Sequence, residues 1–153
     1  MKYKKKKIEK LLGEILVERG VVSNEQLAKA LEVQVKNGGL IGEIIVSLGF
    51  ATEEEIAQCI SFQYGVPFLP LENYEISEEA VKVVPQSVAS HYCLVPIDKI
   101  GDTLTIAMAN PLNVEAAEDL EDITSLEIQI FVSTASDVRN AIKRGYKTET
   151  AQQ

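Results

Sequence analysis

The stretch LLGEILVERGVV, residues 11–22, returns 29 positions later as LIGEIIVSLGFA, residues 40–51. At that offset Gly13 pairs with Gly42, Glu14 with Glu43, Ile15 with Ile44, Val17 with Val46, Gly20 with Gly49, Ala28 with Ala57 and Gln34 with Gln63. So extended a match marks an internal duplication. Within the first copy Ile8, Leu11, Leu12, Ile15 and Leu16 recur at the spacing of one helix face. Gly20 then suits the left-handed position that ends a helix. Ser23 with Gln26 reads as a capping box opening the next helix, and Thr52 with Glu55 repeats it. Each copy is therefore expected to be a short helix, a tight turn and a longer helix, with Asn37, Gly38 and Gly39 joining the two.

Beyond the second copy the texture changes. In YGVPFLP, residues 64–70, Gly65 can cap a helix and two prolines impose extended backbone. ISEEAVKVVP and PQSVASHY suggest two short helices, and LVPIDKIGDTLTIAMANP two strands around a Gly101-Asp102 turn. A helix over about residues 114–123, the strand EIQIFVS and a capped helix over about 136–144 complete the pattern. The expected fold class is α+β: a helical subdomain of two tandem helix-turn-helix repeats over residues 8–68, then a small α+β subdomain of about three strands over 69–147. Residues 1–7 and 148–153 read as loose tails.

Bulk properties narrow the function. The chain has 153 residues, of which 46% are apolar and 25% charged. That suits one domain, or two small subdomains, with a buried core. No apolar run approaches the ~20 residues of a membrane span, and the charges after the lysine-rich start rule out a signal-peptide core. The expected location is the cytoplasm. Residues 1–10 hold six lysines and one glutamate, so the net charge of −8 conceals a markedly acidic body. An acidic body argues against a nucleic-acid polymer as partner. Cys59 and Cys93 have no metal-ligand spacing and read as small hydrophobes.

Catalytic patterns are scarce. The sequence lacks a G-x-x-x-x-G-K-[ST] phosphate loop and an H-E-x-x-H zinc motif. A hydrolase using His91 and Cys93 is discounted, because neighbouring strand positions point apart and no orienting acid is evident. The expectation is a protein without an active site, catalytic residue, metal or cofactor. More informative are residues that break local rules. Gly13 and Gly42 fall in or at the start of a helix, where glycine costs ~1 kcal/mol relative to alanine. Close approach explains them, either by a neighbouring helix or by a ligand reaching backbone N–H groups. Leu27, Leu31 and Gln34 align at i, i+4, i+7, as do Ile56, Ile60 and Gln63. Each carboxamide could tie off helix-end carbonyls or read the edge of a bound heterocycle.

The frame L-G-x-x-L-V-x-x-G-hydrophobic-hydrophobic, then S/T-x-x-x-L-x-x-A-L-x-x-Q, taken twice with a five-residue spacer over 35–39, resembles the tandem motif of the MshEN domain, found at the N-terminus of type II secretion and type IV pilus assembly ATPases. YGVPFLPL, the strand pair ending IAMANP and the helix ASDVRNAIKRGY are similar to the rest of that domain. The resemblance runs from about residue 8 to 146. It implies a non-catalytic regulatory or docking module for protein components of a secretion or pilus machine, with cyclic di-GMP as ligand; the alternative is a fragment or separately encoded N-terminal domain of such an ATPase, acting purely in protein-protein docking. One motif copy would serve each guanine: Leu11, Leu12, Gly13, Leu27, Leu31 and Gln34 from the first, Leu40, Ile41, Gly42, Ile56, Ile60 and Gln63 from the second, with Asn110 added. The family's motif usually opens with arginine, whose planar fork can read guanine O6 and N7. Here Leu11 and Leu40 stand in those places, and Lys10 and Lys36 offer only point charges.

Overall fold

The computed structural model describes residues 12–111 and 113–146. Its contacts divide them into two compact units, one ending at Gly65 and one beginning at Val66. Leu11 and both terminal tails lie outside the described residues.

The first unit consists of α1 (Leu12–Glu18), α2 (Asn24–Asn37), α3 (Ile41–Ser47) and α4 (Glu53–Tyr64). Its duplication is exact down to the hydrogen bonds that close the turns. Gly20 and Gly49 have φ of 75° and 78°. The Val21 N–H reaches the Leu16 carbonyl at 2.9 Å, and the Phe50 N–H reaches Ile45 at 3.1 Å. These are the six-to-one closures of a helix that ends in a left-handed residue, a conformation a Cβ makes costly. Both long helices open on reciprocal caps. Ser23 Oγ accepts from Gln26 N at 3.1 Å while Gln26 Oε1 accepts from Ser23 N at 2.9 Å. Thr52 and Glu55 repeat the exchange at 3.1 and 2.9 Å. Each box satisfies two of the N–H groups that a helix start leaves without partners.

Apolar faces fix the packing. Ile15 and Leu16 of α1, Ile44 and Ile45 of α3, and Ile56, Ala57, Cys59 and Ile60 of α4 are buried. Helix α1 packs on α4, and α3 on α2, the crosswise partnership expected of a pseudo-twofold pair. The two halves are not equally closed. Helix α2 buries only Ala30 along its fourteen residues.

The second unit runs α5 (Glu78–Val83), α6 (Gln86–Tyr92), β1 (Leu94–Ile100), β2 (Thr103–Met108), α7 (Val114–Thr124), β3 (Glu127–Val132) and α8 (Ala135–Gly145). The sheet has the order β1-β2-β3. Strands β1 and β2 form the expected hairpin, with a register shift between Pro96 and Asp98. Strand β3 pairs parallel to β2, from Thr103 opposite Glu127 to Met108 opposite Val132. A parallel neighbour needs a crossover, which α7 supplies. The free edge of β3 is partly covered, since Phe68 bridges Val132 and Leu69 N donates to the Val132 carbonyl at 2.9 Å. Helices α5, α6 and α8 pack on β1, and α7 on β3. Together they enclose a continuous apolar core that includes Leu71, Leu94, Ile106, Met108, Leu120, Ile128 and Tyr146. Tyr146 closes this unit by donating its hydroxyl to the Val84 carbonyl at 2.7 Å. The architecture is α+β, with a three-stranded sheet as read from the sequence.

Two local readings change. Cys93 is half-buried rather than fully buried, and it caps α6 in the left-handed region at φ 53°, ψ 58°. His91 lies in the last turn of α6, its ring edge-on to Tyr92 at 4.6 Å. His91 and Cys93 are thus a helix-end residue and its cap, not strand neighbours.

Candidate ligand site in the repeat unit

Seen from the residues upward, the repeat unit places an aliphatic side chain over each unusual glycine. A Cβ built on Gly13 would lie 2.6 Å from Leu27 Cδ1, and one on Gly42 would lie 3.8 Å from Ile56 Cγ2. Leu27 and Ile56 are the same residue of successive copies. Gly42 also faces Leu12 Cδ2, at 3.4 Å from its hypothetical Cβ, so the two copies touch there. Helix packing therefore accounts for the glycine at 13, whereas at 42 a Cβ would make only ordinary contacts.

The remaining motif residues divide by copy. In the second, Ile56 and Ile60 are 8% and 4% exposed, within the unit's core. Ile41 and Gly42 are half-buried, and Gln63 is exposed. In the first, Leu12, Leu27 and Gln34 are half-buried, Gly13 is buried and Leu31 is 42% exposed. Leu40, which opens the second motif, is 60% exposed at the N-cap of α3 and makes no side-chain cap. An apolar side chain there loses water only if something covers it.

Gln34 has a defined task. Its Nε2 donates to the Gly39 carbonyl at 3.0 Å, and its own carbonyl accepts from Gly38 N at 2.7 Å. The residue thereby fixes the Asn37-Gly38-Gly39 connector between copies. The acceptor is a carbonyl of the connector just beyond its own helix, not one at the end of a neighbouring helix. Asn110 is exposed and belongs to the second unit, beyond the end of β2.

Sequence reasoning passed over another feature of the repeat unit. Arg19 at the end of α1 sets its guanidinium 3.8 Å from the centroid of the Phe62 ring on α4. Beside them lies a shallow depression of about 300 Å³ lined by Arg19, Val21, Glu55, Gln58, Cys59 and Phe62. Burial pushes the Cys59 thiol above its ordinary value, against the lowering influence of Arg19. The available signal was the duplication itself, because Arg19 and Phe62 stand where the other copy has Leu48 and Val33.

A depression of about 620 Å³ collects Glu75, Glu78, Glu79 and Asp98, yet no group of three or more His, Cys, Asp or Glu among the described residues could hold a metal ion. Tyr92 donates to Asp119 and, at 3.4 Å, to Glu115, tying α6 to α7. The hydrogen bond to Asp119, followed by burial and the charges of both carboxylates, pushes the Tyr92 hydroxyl up to about 12. Among the described residues no helix is long and apolar enough to cross a membrane.

Comparison with known proteins agrees with this architecture. The model of the MshEN domain matches residues 64–152, more than half of the chain. The matched span starts at the last residue of α4 and covers the second unit. The type IV pilus assembly ATPase PilB of Myxococcus xanthus is 38% identical over 135 residues, covering 88% of this chain and 24% of that protein. PilB of Thermus thermophilus is 30% identical over 140 residues, covering 90% of this chain and 16% of that protein. The chain thus spans a quarter or less of the length of these relatives. Among solved structures, MshE with cdg superposes with a TM-score of 0.79 at 30% identity, over 90% of this chain and 100% of that one. The N-terminal domain of XpsE shares the fold, with a TM-score of 0.76 at 19% identity, over 93% and 98%. On its sequence match and its fold, the chain belongs to the MshEN domain family.

Proposed function

We propose that this chain is the non-catalytic N-terminal module of a pilus- or secretion-type assembly ATPase, acts in the cytoplasm as a platform for protein components of that machine, and takes cyclic di-GMP on its repeat unit. The observation that carries the reading is the doubled arrangement of a glycine beneath an aliphatic side chain, Gly13 under Leu27 and Gly42 under Ile56. A two-fold ligand suits a duplicated site. Leu31 and Leu40, exposed in the free protein, would cover guanine faces, and Gln34 and Gln63 would read base edges. Likeness to MshE, solved with cdg, supports the same ligand. The ATPase motor would belong to sequence outside these residues, since they contain no phosphate loop.

Two features lower the affinity. Leucines occupy both arginine positions, and each lost bidentate contact to guanine weakens binding by about 1–3 kcal/mol. Gln34 must also release the Gly39 carbonyl before it can read a base, at a cost of about 1 kcal/mol. Isothermal titration of the chain with cyclic di-GMP tests the proposal. Binding heat should disappear in Gln34→Ala and Gln63→Ala, and Leu40→Arg should tighten binding by about tenfold or more. Absence of heat in both the parent chain and Leu40→Arg would leave a docking module without a nucleotide. The exposed side chains of Val35 and Phe62, which the nucleotide does not use, favour that second reading.

A further inference from the structure

The duplication supplies an internal control for the depression beside Arg19. It lies where the end of α1 meets α4, and its counterpart in the other copy lies where the end of α3 meets α2. In the counterpart Arg19 becomes Leu48, Val21 becomes Phe50, Cys59 becomes Ala30 and Phe62 becomes Val33. There Leu48, Phe50 and Val33 are half-buried and Ala30 is fully buried, so the position carries apolar groups and no cation from these residues. Its twin stays open, with Phe62 71% exposed.

We infer that the depression beside Arg19 and Phe62 is a docking site for a partner-protein segment presenting a carboxylate next to an apolar side chain. The Phe62 ring holds the guanidinium carbon 3.8 Å from its centroid, and a guanidinium fork so placed can meet a carboxylate in a bidentate way. Among the described residues Arg19 has no carboxylate within ion-pair distance. An unpaired guanidinium in an acidic protein is an open electrostatic position. Val21 and the exposed Phe62 ring supply the apolar part of a lining that also holds Arg19, Glu55 and Gln58, and about 300 Å³ suits one aliphatic side chain rather than a large ligand. Glu55 is held by the Thr52 N–H and hydroxyl, and Gln58 donates to Glu54, so the rim on the α4 side is both occupied and negative. That side repels a carboxylate and sets the orientation: acid on Arg19, apolar group in the depression. Arginine and aromatic residues are also the types that most often anchor protein interfaces.

The test is an NMR titration of the isotopically labelled 153-residue chain with the capped dipeptide acetyl-Leu-Asp-amide, against acetyl-Leu-Asn-amide. The aspartyl peptide should shift the Arg19 side-chain N–H and the Val21, Gln58 and Phe62 amides in a saturable way, with Kd on the order of 1 mM. Binding should be about fivefold weaker for the asparaginyl peptide, and about fivefold weaker for the aspartyl peptide on Arg19→Gln. Equal affinity for the two peptides, shifts confined to other residues, or undiminished binding by Arg19→Gln would overturn the inference. The first two need no variant, and the third is read from an Arg19→Gln protein that keeps the parent spectrum elsewhere.

Discussion

Replacing Gly42 with alanine separates a glycine kept for folding from one kept for a ligand. Gly42 lies in the first turn of α3 with φ outside the positive region, so alanine adopts its backbone freely. The added methyl would sit 3.4 Å from Leu12 Cδ2 and 3.8 Å from Ile56 Cγ2, ordinary contacts that require no rearrangement. Helix propensity then favours alanine by about 0.5–1 kcal/mol, somewhat discounted near a helix start. Gly42→Ala should therefore stabilise the chain by up to about 1 kcal/mol in urea unfolding followed by circular dichroism. Gly13→Ala differs, because its methyl would fall 2.6 Å from Leu27 Cδ1. Leu27 is half-buried and its end can swing aside, so lost packing offsets the propensity gain and the net change is near zero. If phosphates approach the backbone at Gly42, the more stable variant should bind cyclic di-GMP at least about tenfold more weakly. Destabilisation by more than about 1 kcal/mol in Gly42→Ala would refute the packing argument. A stable Gly42→Ala protein with unchanged nucleotide affinity would refute the ligand argument alone.

Three further outcomes follow from local geometry. Ser125 caps α7 at φ 58°, ψ 26° and is exposed, so Ser125→Gly should relieve the left-handed strain and raise stability by about 0.5–1 kcal/mol in urea unfolding. Thr52→Ala removes the hydroxyl that accepts from Glu55 N and should cost about 1 kcal/mol in the same assay. Tyr92 should ionise near 12 when followed by ultraviolet absorbance, and Asp119→Asn should bring it down toward the ordinary value of 10. Because its folded value is raised, the stabilisation from Tyr92 is fully present below pH ~10 and is lost as pH rises through ~12.

Local signals in the sequence reach most of this fold, and they stop where pairing becomes non-local. Both capping boxes, the glycines at 20 and 49 and the Gly101 turn all act within about five residues, and each is found in place. The parallel register of β3 on β2 depends on the crossover through α7, which no residue of EIQIFV announces. Left-handed caps at Cys93 and Ser125 lack the glycine or asparagine that would mark them. Gln34 illustrates a different limit. Its place on the apolar stripe could be read, but its partner at Gly39 depends on the conformation of Gly38 and Gly39, at φ 73° and 104°.

The two copies also show what periodicity leaves open. Leu31 and Ile60 occupy the same place in the motif, yet one is 42% exposed and the other 4%. A helix period states which side of the helix is apolar, not how much protein lies against it. Here α4 buries four residues and α2 one, so equal stripes meet unequal partners. A twofold ligand on this unit would find one wall already fixed in the core and the other still to be desolvated. Most of the apolar area newly covered on such binding would come from Leu31 of the first copy and Leu40 of the second, since Ile56 and Ile60 already lie in the core.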